Sequence, residues 1–178
     1  MLAGNSLQIR LIADIKSELT ARGLGWWLFG GWALDAQLGQ ITRNHGDVEF
    51  WTERSDADSV RKALIAIGAQ VVDTQPIEES RAFDRDGVTF SSASFDRNDD
   101  GTYGVQGRWS DWIFPPSSFG DSTGELDGLV VPTMSVERML AMKEQYASLR
   151  NGGPLRDKDV HDIAVLTTLV DRPHPNSS

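Results

Sequence analysis

The 178-residue chain has no cysteine. Disulfides, thiolate metal sites and a cysteine nucleophile are therefore excluded, and the composition suits a reducing compartment. No segment approaches the roughly 20 consecutive apolar residues of a membrane span. The opening MLAGNSLQIRLIADIK carries no signal-peptide-like apolar run, so a cytoplasmic protein without a membrane partner is expected. Basic residues are outnumbered, 17 Lys and Arg against 26 Asp and Glu, for a net charge of -9. Such a surface repels a polyanion and argues against general nucleic-acid binding, whereas a cationic ligand would be tolerated. Internal repeats and low-complexity blocks are also absent. What remains is ordinary for a globular chain: 39% hydrophobic and 24% charged residues. A chain of this length buries roughly 70% of its unfolded surface and needs no staples.

The hydrophobic pattern is mixed α and β. Leu7, Leu11, Ile12, Ile15 and Leu19 recur at helical spacing over 6–22, and Gly23 stops that helix. Trp26–Phe29 reads as a buried strand, Trp32–Leu38 as a helix and Val48–Trp51 as a second strand. Ser55 or Asp56 caps a helix whose stripe is Val60, Leu64 and Ile67, with Gly68 after it. Strands are expected at 70–74 and 88–95, the latter turning at Asn98-Asp99-Asp100-Gly101 into a hairpin partner over 103–108. Residues 109–124 read as irregular, 126–131 as a strand, and 135–149 and 157–170 as helices, the first of these capped by Ser135 with Met139, Met142, Tyr146 and Leu149 as its stripe. The expected architecture is α+β: a small, twisted mixed sheet with flanking helices and a C-terminal helical pair. We divide it into a core over 1–132, a helical segment over 133–170 packed on that core, and a flexible tail over 171–178.

The densest chemistry lies between residues 29 and 50. Gly30-Gly31 stands between a strand and a helix, where missing side chains let a phosphate approach the backbone. The N-terminus of the following helix adds unpaired N–H groups and a positive dipole end. Further on, Asp47 and Glu49 alternate with Val48 and Phe50. Period two on a strand puts both carboxylates on one side and the apolar pair in the core. Adjacent carboxylates repel unless a cation sits between them, and hard oxygen ligands of this kind select Mg2+. A lone Gly-Gly is usually a turn, and a lone Asp-x-Glu a solvated strand face. Their order, separation and strand context together favour the nucleotide–metal reading.

Residues 29–50 resemble the signature of the nucleotidyltransferase superfamily that includes DNA polymerase beta. Closer still are the aminoglycoside 2''-nucleotidyltransferases and lincosamide nucleotidyltransferases, whose pattern is Gly-Gly-Trp-Ala-x-Asp, then Gly, then Arg-x-His-x-Asp-x-Asp. Matching positions are Gly30, Gly31, Trp32, Ala33, Asp35, Gly39, Arg43, His45 and Asp47, with Glu49 for the final Asp. The resemblance implies the nucleotidyltransferase fold and a transfer of a nucleoside monophosphate, AMP from ATP, to a hydroxyl of a small, antibiotic-like acceptor. It implies Gly30 and Gly31 at the β- and γ-phosphates and Asp47 and Glu49 as catalytic metal ligands. Arg43 either positions phosphate or makes a structural ion pair. His45 either supports the site or packs, and Asp35 caps or braces the turn. Lys143 either reaches the triphosphate, as a lysine on the corresponding helix does in relatives, or snorkels. Arg156-Asp157-Lys158-Asp159 with Asp162 resembles the family's ending, although a helix-dipole charge cluster is the simpler account. The pattern departs at Thr89, where relatives carry a third aspartate acting as base, and at Ser91, where a histidine is common. Asp84, Asp86 and Asp96 are the nearby acids that could substitute as base. These departures keep open a degenerate relative that binds nucleotide or a partner without transfer. Trp109, Trp112 and Phe114 either line an acceptor pocket or fill core, and core is favoured.

Overall fold

The computed structural model describes residues 3–72, 80–149 and 153–171. Helix α1 (Ala3–Ala21) leads into strand β1 (Trp27–Phe29), helix α2 (Gly30–Leu38) and strand β2 (Val48–Glu53). A 3-10 turn at Arg54–Asp56 feeds helix α3 (Ala57–Ala66), followed by β3 (Gln70–Val72), β4 (Ser80–Arg85) and β5 (Val88–Arg97). Short strands β6 (Tyr103–Gly104) and β7 (Ile113–Phe114) flank a 3-10 turn at Gly107–Trp109. Strands β8 (Thr123–Leu126) and β9 (Leu129–Pro132) precede helices α4 (Val136–Leu149) and α5 (Asp157–Val170).

The main sheet runs β1-β2-β5-β4-β3, with β6 and β7 continuing from the far end of β5. Among the described strands of this sheet β2 and β5 pair in parallel and the other pairs are antiparallel, so the sheet is mixed as the pattern implied. Period two divides its faces. Val48, Phe50, Val88, Phe90 and Phe83 join Ile12, Ile15 and Leu19 of α1 and Val60, Ala63 and Leu64 of α3 in one buried cluster. Leu7 is the exception in the α1 stripe at 40% exposed. Asn5 and Gln8 are buried instead, for a reason that emerges at the site. Among the described residues no helix is long and apolar enough to cross a membrane.

Several boundaries differ from the sequence reading. The Gly-Gly pair forms the first turn of α2 itself, behind Phe29 as an N-cap that makes no side-chain capping bond. Asp56 holds the N-cap position of α3 but also makes no side-chain cap, because the chain arrives there in a 3-10 turn. Ser135 precedes α4, and its carbonyl accepts the N–H groups of Arg138 and Met139. The strand expected over 126–131 is a hairpin, bent at Asp127-Gly128 with positive φ at both residues, 51° and 81°. Strand β4 was not anticipated. It pairs with β5 across a matching Asp86-Gly87 turn (φ 54° and 77°), and Asp-Gly is the dipeptide that such hairpin turns demand. Only Tyr103 and Gly104 of the expected 103–108 strand pair with β5, before the chain coils. The end of the strand expected at 70–74, the loop at 150–152, the tail from 172 and the side chains of Tyr146 and Leu149 lie outside the described residues.

The β8–β9 hairpin joins the two halves. Its Gly124 lies so close beneath α2 that a Cβ would fall 2.5 Å from the Ala36 carbonyl carbon. Gln37 of α2 donates to Thr133 Oγ1 (2.6 Å), and the Met134 N–H after β9 donates to the Leu28 carbonyl (3.1 Å). Gly124→Ala should therefore force α2 off the hairpin, lowering stability by about 1–3 kcal/mol. Denaturant unfolding with an unchanged slope and a lower midpoint would record it.

Candidate active site

The antiparallel pairing of β1 with β2 sets Phe29 opposite Glu49, so the bend after β1 falls beside that carboxylate. At the bend Gly30 has φ +69°, and a Cβ there would sit 2.8 Å from Glu49 Oε2. Glycine is needed both for the backbone angle and for the close approach. At Gly31 a Cβ would collide with the Arg43 guanidinium and the His45 ring.

One pocket of about 120 Å³ collects these groups. Asp47 and Glu49 line it together with Arg43, Lys143, Arg156 and Lys158. Phe29, Gly30, Gly31, His45 and Gly46 complete it. All the residues expected at the site, Gly30, Gly31, Arg43, Asp47, Glu49 and Lys143, thus line one cavity. Arg156 and Lys158, read from the sequence as parts of a helix charge cluster, line it as well. Asp47 is exposed and Glu49 half-buried. Burial, followed by repulsion from Asp47, pushes the Glu49 carboxyl up to about 7, with partial relief from Lys158, Lys143 and Arg156. The two acids are held together at a cost that the cations of the pocket do not cancel.

Beneath the bend a buried network fixes the 43–46 loop. Asp35, fully buried, accepts the Thr42 N–H (3.1 Å) and hydroxyl (2.6 Å) and pairs with His45 Nε2 at 2.6 Å. Trp32 packs on the His45 ring at 4.2 Å and donates its indole N–H to Gln8 Oε1 (2.6 Å). Gln8 in turn donates to the His45 carbonyl and Asn5 to the Arg43 carbonyl, both at 3.0 Å. This is why polar residues of α1 face inward.

Lys143 does not snorkel. It is 5% exposed, and its Nζ donates to Asp162 Oδ2 (2.7 Å) and Asp159 Oδ1 (3.3 Å), both aspartates being fully buried. Arg156 reaches Asp159 at 2.5 and 2.9 Å, and Arg43 NH2 lies 3.6 Å from Asp162 Oδ2. Asp157 and Asp159 stand in the first turn of α5, as the helix-dipole account has it, and Asp159 and Asp162 make buried ion pairs in addition. Burial pushes the Asp159 carboxyl up, but its bonds to Arg156 and the Lys143 charge outweigh this and hold it below the usual range. The signal in the sequence was Asp159 and Asp162 three apart on one helical face, facing a mid-helix lysine.

The β2–β5 register makes Ser91 the neighbour of Glu49. Thr89, exposed, lies one step further toward the Asp47 end and opposite Asp84. Neither offers a carboxylate. Asp84 accepts the Gly87 N–H (3.2 Å), Asp86 sits in the turn beside Arg85, and Asp96 pairs with Arg54 (2.9 Å) at the far end of β5. Among the described residues no group of three His, Asp or Glu side chains is gathered to hold a metal. Phe114 is core, against Trp51 and Phe119, while Trp109 and Trp112 are partly buried against that core.

With this geometry in place, similarity to known proteins becomes informative. A family model described as aminoglycoside-2''-adenylyltransferase matches residues 11–166. The chain belongs to that family. A 2''-aminoglycoside nucleotidyltransferase of Escherichia coli is 30% identical over 69 residues, an alignment covering 39% of this chain and 39% of that relative. The solution structure of the antibiotic-resistance factor ANT(2'')-Ia superposes with a TM-score of 0.76 at 20% identity, covering 93% of this chain and 85% of that one. The lincosamide antibiotic adenylyltransferase LnuA, solved with lincomycin bound, gives a TM-score of 0.68 at 20% identity over 87% and 93% of the two chains. The fold is the nucleotidyltransferase fold.

A raised carboxyl makes its contribution to stability below the ordinary carboxylate value and loses it as pH rises through about 7. Between pH 5 and 8 the metal-free protein should therefore lose on the order of 1–3 kcal/mol from Glu49 alone. Glu49→Gln should flatten that part of the profile, as thermal melts across the range would record.

Proposed function

We propose that the chain is a metal-dependent nucleotidyltransferase moving a nucleoside monophosphate, AMP from ATP, onto a hydroxyl of a small, antibiotic-like acceptor in the cytoplasm. The observation that carries this reading is the gathering of two carboxylates and four cations in one pocket at the Gly30 bend. The donor set suits a divalent cation. Asp47 and Glu49 supply hard oxygen ligands, and their mutual repulsion, seen in the raised Glu49 carboxyl, is what a cation would relieve. Mg2+, when bound there, would neutralise charge on the reacting phosphate and on the attacking and leaving oxygens.

The chain's own groups account for the remaining roles. The uncapped N–H groups at the start of α2 and the Gly30 bend receive the polyphosphate. Arg43, Lys143, Arg156 and Lys158 offset its charge. The acceptor oxygen attacks the α-phosphorus, the bond to the bridging oxygen of the β-phosphate breaks, and pyrophosphate departs with that electron pair. The acceptor proton goes to water, since Thr89 and Ser91 are not bases at neutral pH. The alternative reading, a degenerate relative that binds nucleotide without transfer, is favoured by the hydroxyl side chains on β5.

Calorimetric titration of ATP with Mg2+, followed by a pyrophosphate-release assay against aminoglycosides and lincosamides, separates the two. Metal-dependent ATP binding should be lost at least tenfold in Asp47→Ala; retention would remove the site. Metal affinity should rise with pH up to about 7, as Glu49 releases its proton, and then level. Release should rise about 10²-fold in Ser91→Asp, the position beside Glu49, and less in Thr89→Asp. Binding without release in the parent and both variants supports the degenerate reading.

A further inference from the structure

Asp159 and Asp162 are fully buried, yet they lie one residue behind a cavity wall. Burying an ion pair is a poor way to gain stability, because desolvation consumes most of the Coulomb attraction and apolar residues of like size do as well. The packing is not optimised for stability either. Arg43 Nε and Asp162 Oδ1 are both buried without a hydrogen-bond partner among the described residues, and their groups meet only at 3.6 Å. Closure into a two-bond fork, the preferred arginine–carboxylate geometry, has not occurred. Lys143, by contrast, is gripped by both carboxylates.

We infer that Asp162 and Asp159 are positioning residues, which fix the Lys143 ammonium, and through Asp162 the Arg43 guanidinium, at the polyphosphate side of the pocket. Lys143 comes from α4, Arg43 from the loop before β2, and both aspartates from α5. The aspartates therefore align cations from two separate parts of the chain on one anion. A lysine side chain turns about several single bonds, and holding it in advance removes an ordering cost that binding would otherwise carry.

This inference rests on the polyphosphate reading above, and the test keeps the two apart. Inorganic pyrophosphate with Mg2+ is titrated into the full chain, Asp162→Asn, Lys143→Met and the double variant, with thermal melts confirming folding. If Asp162 contributed charge alone, Asp162→Asn would strengthen binding, since it deletes an anion beside an anion site. Positioning predicts the opposite, about tenfold weaker binding. It also predicts that Asp162→Asn weakens binding several-fold less once Lys143 is Met, the remainder passing through Arg43, whereas a purely structural role would weaken both backgrounds alike. Unchanged or stronger binding in Asp162→Asn, or equal losses in the two backgrounds, overturns the inference. A parent chain that binds no pyrophosphate overturns the polyphosphate reading itself. Should Asp162→Asn not melt cooperatively, Asp159→Asn, which removes the other anchor of Lys143, carries the same expectations. Failure of both to fold would make the aspartates structural and end the inference.

Discussion

The Glu49 carboxylate lies against the Cα of Gly30, and the rest of the site is arranged around that contact. The pairing of Phe29 with Glu49 brings it about, and no residue with a Cβ could stand at the bend without displacing the acid. Once the two are in contact, the start of α2 must face the same space as the strand carboxylates. Gly31 extends the argument by one residue, leaving room for Arg43 and His45 to come up beside the bend. Asp35, Trp32, Gln8 and Asn5 then hold that loop from below.

The pocket is an electrostatic compromise. Asp47, just before β2, and Glu49 on it share the cavity with four cations, and the buried Asp159 and Asp162 bring down the surplus. Such a cavity favours neither a simple anion nor a simple cation. On the function proposed, it would suit a metal-complexed polyanion, which itself carries charge of both signs.

Much of the site was legible in the sequence because its signals are local. Gly-Gly between strand and helix, and Asp-x-Glu alternating with Val and Phe, each describe one element and its periodicity. What escaped depended on pairing between distant segments. Strand β4 carries one large apolar side chain, Phe83, among charged neighbours, and only the Asp86-Gly87 turn marked it. The residue beside Glu49 is set by inter-strand register, so Ser91 could not be placed there from spacing alone. Asp159 and Asp162 looked like helix-start charges because their partner is a lysine on another helix. Asn5 and Gln8 broke the α1 stripe because they bond to loop carbonyls some forty positions away in the chain.

The seating of Gly124 under Ala36 links two elements that sequence keeps apart. Helix α2, which opens at the Gly30 bend, rests on the same hairpin that delivers the chain to α4 and Lys143. A shift in that hairpin would move the bend and the lysine together. The hairpin is thus a shared footing, and a substitution beneath α2 would be felt both at Gly30 and where the chain enters α4.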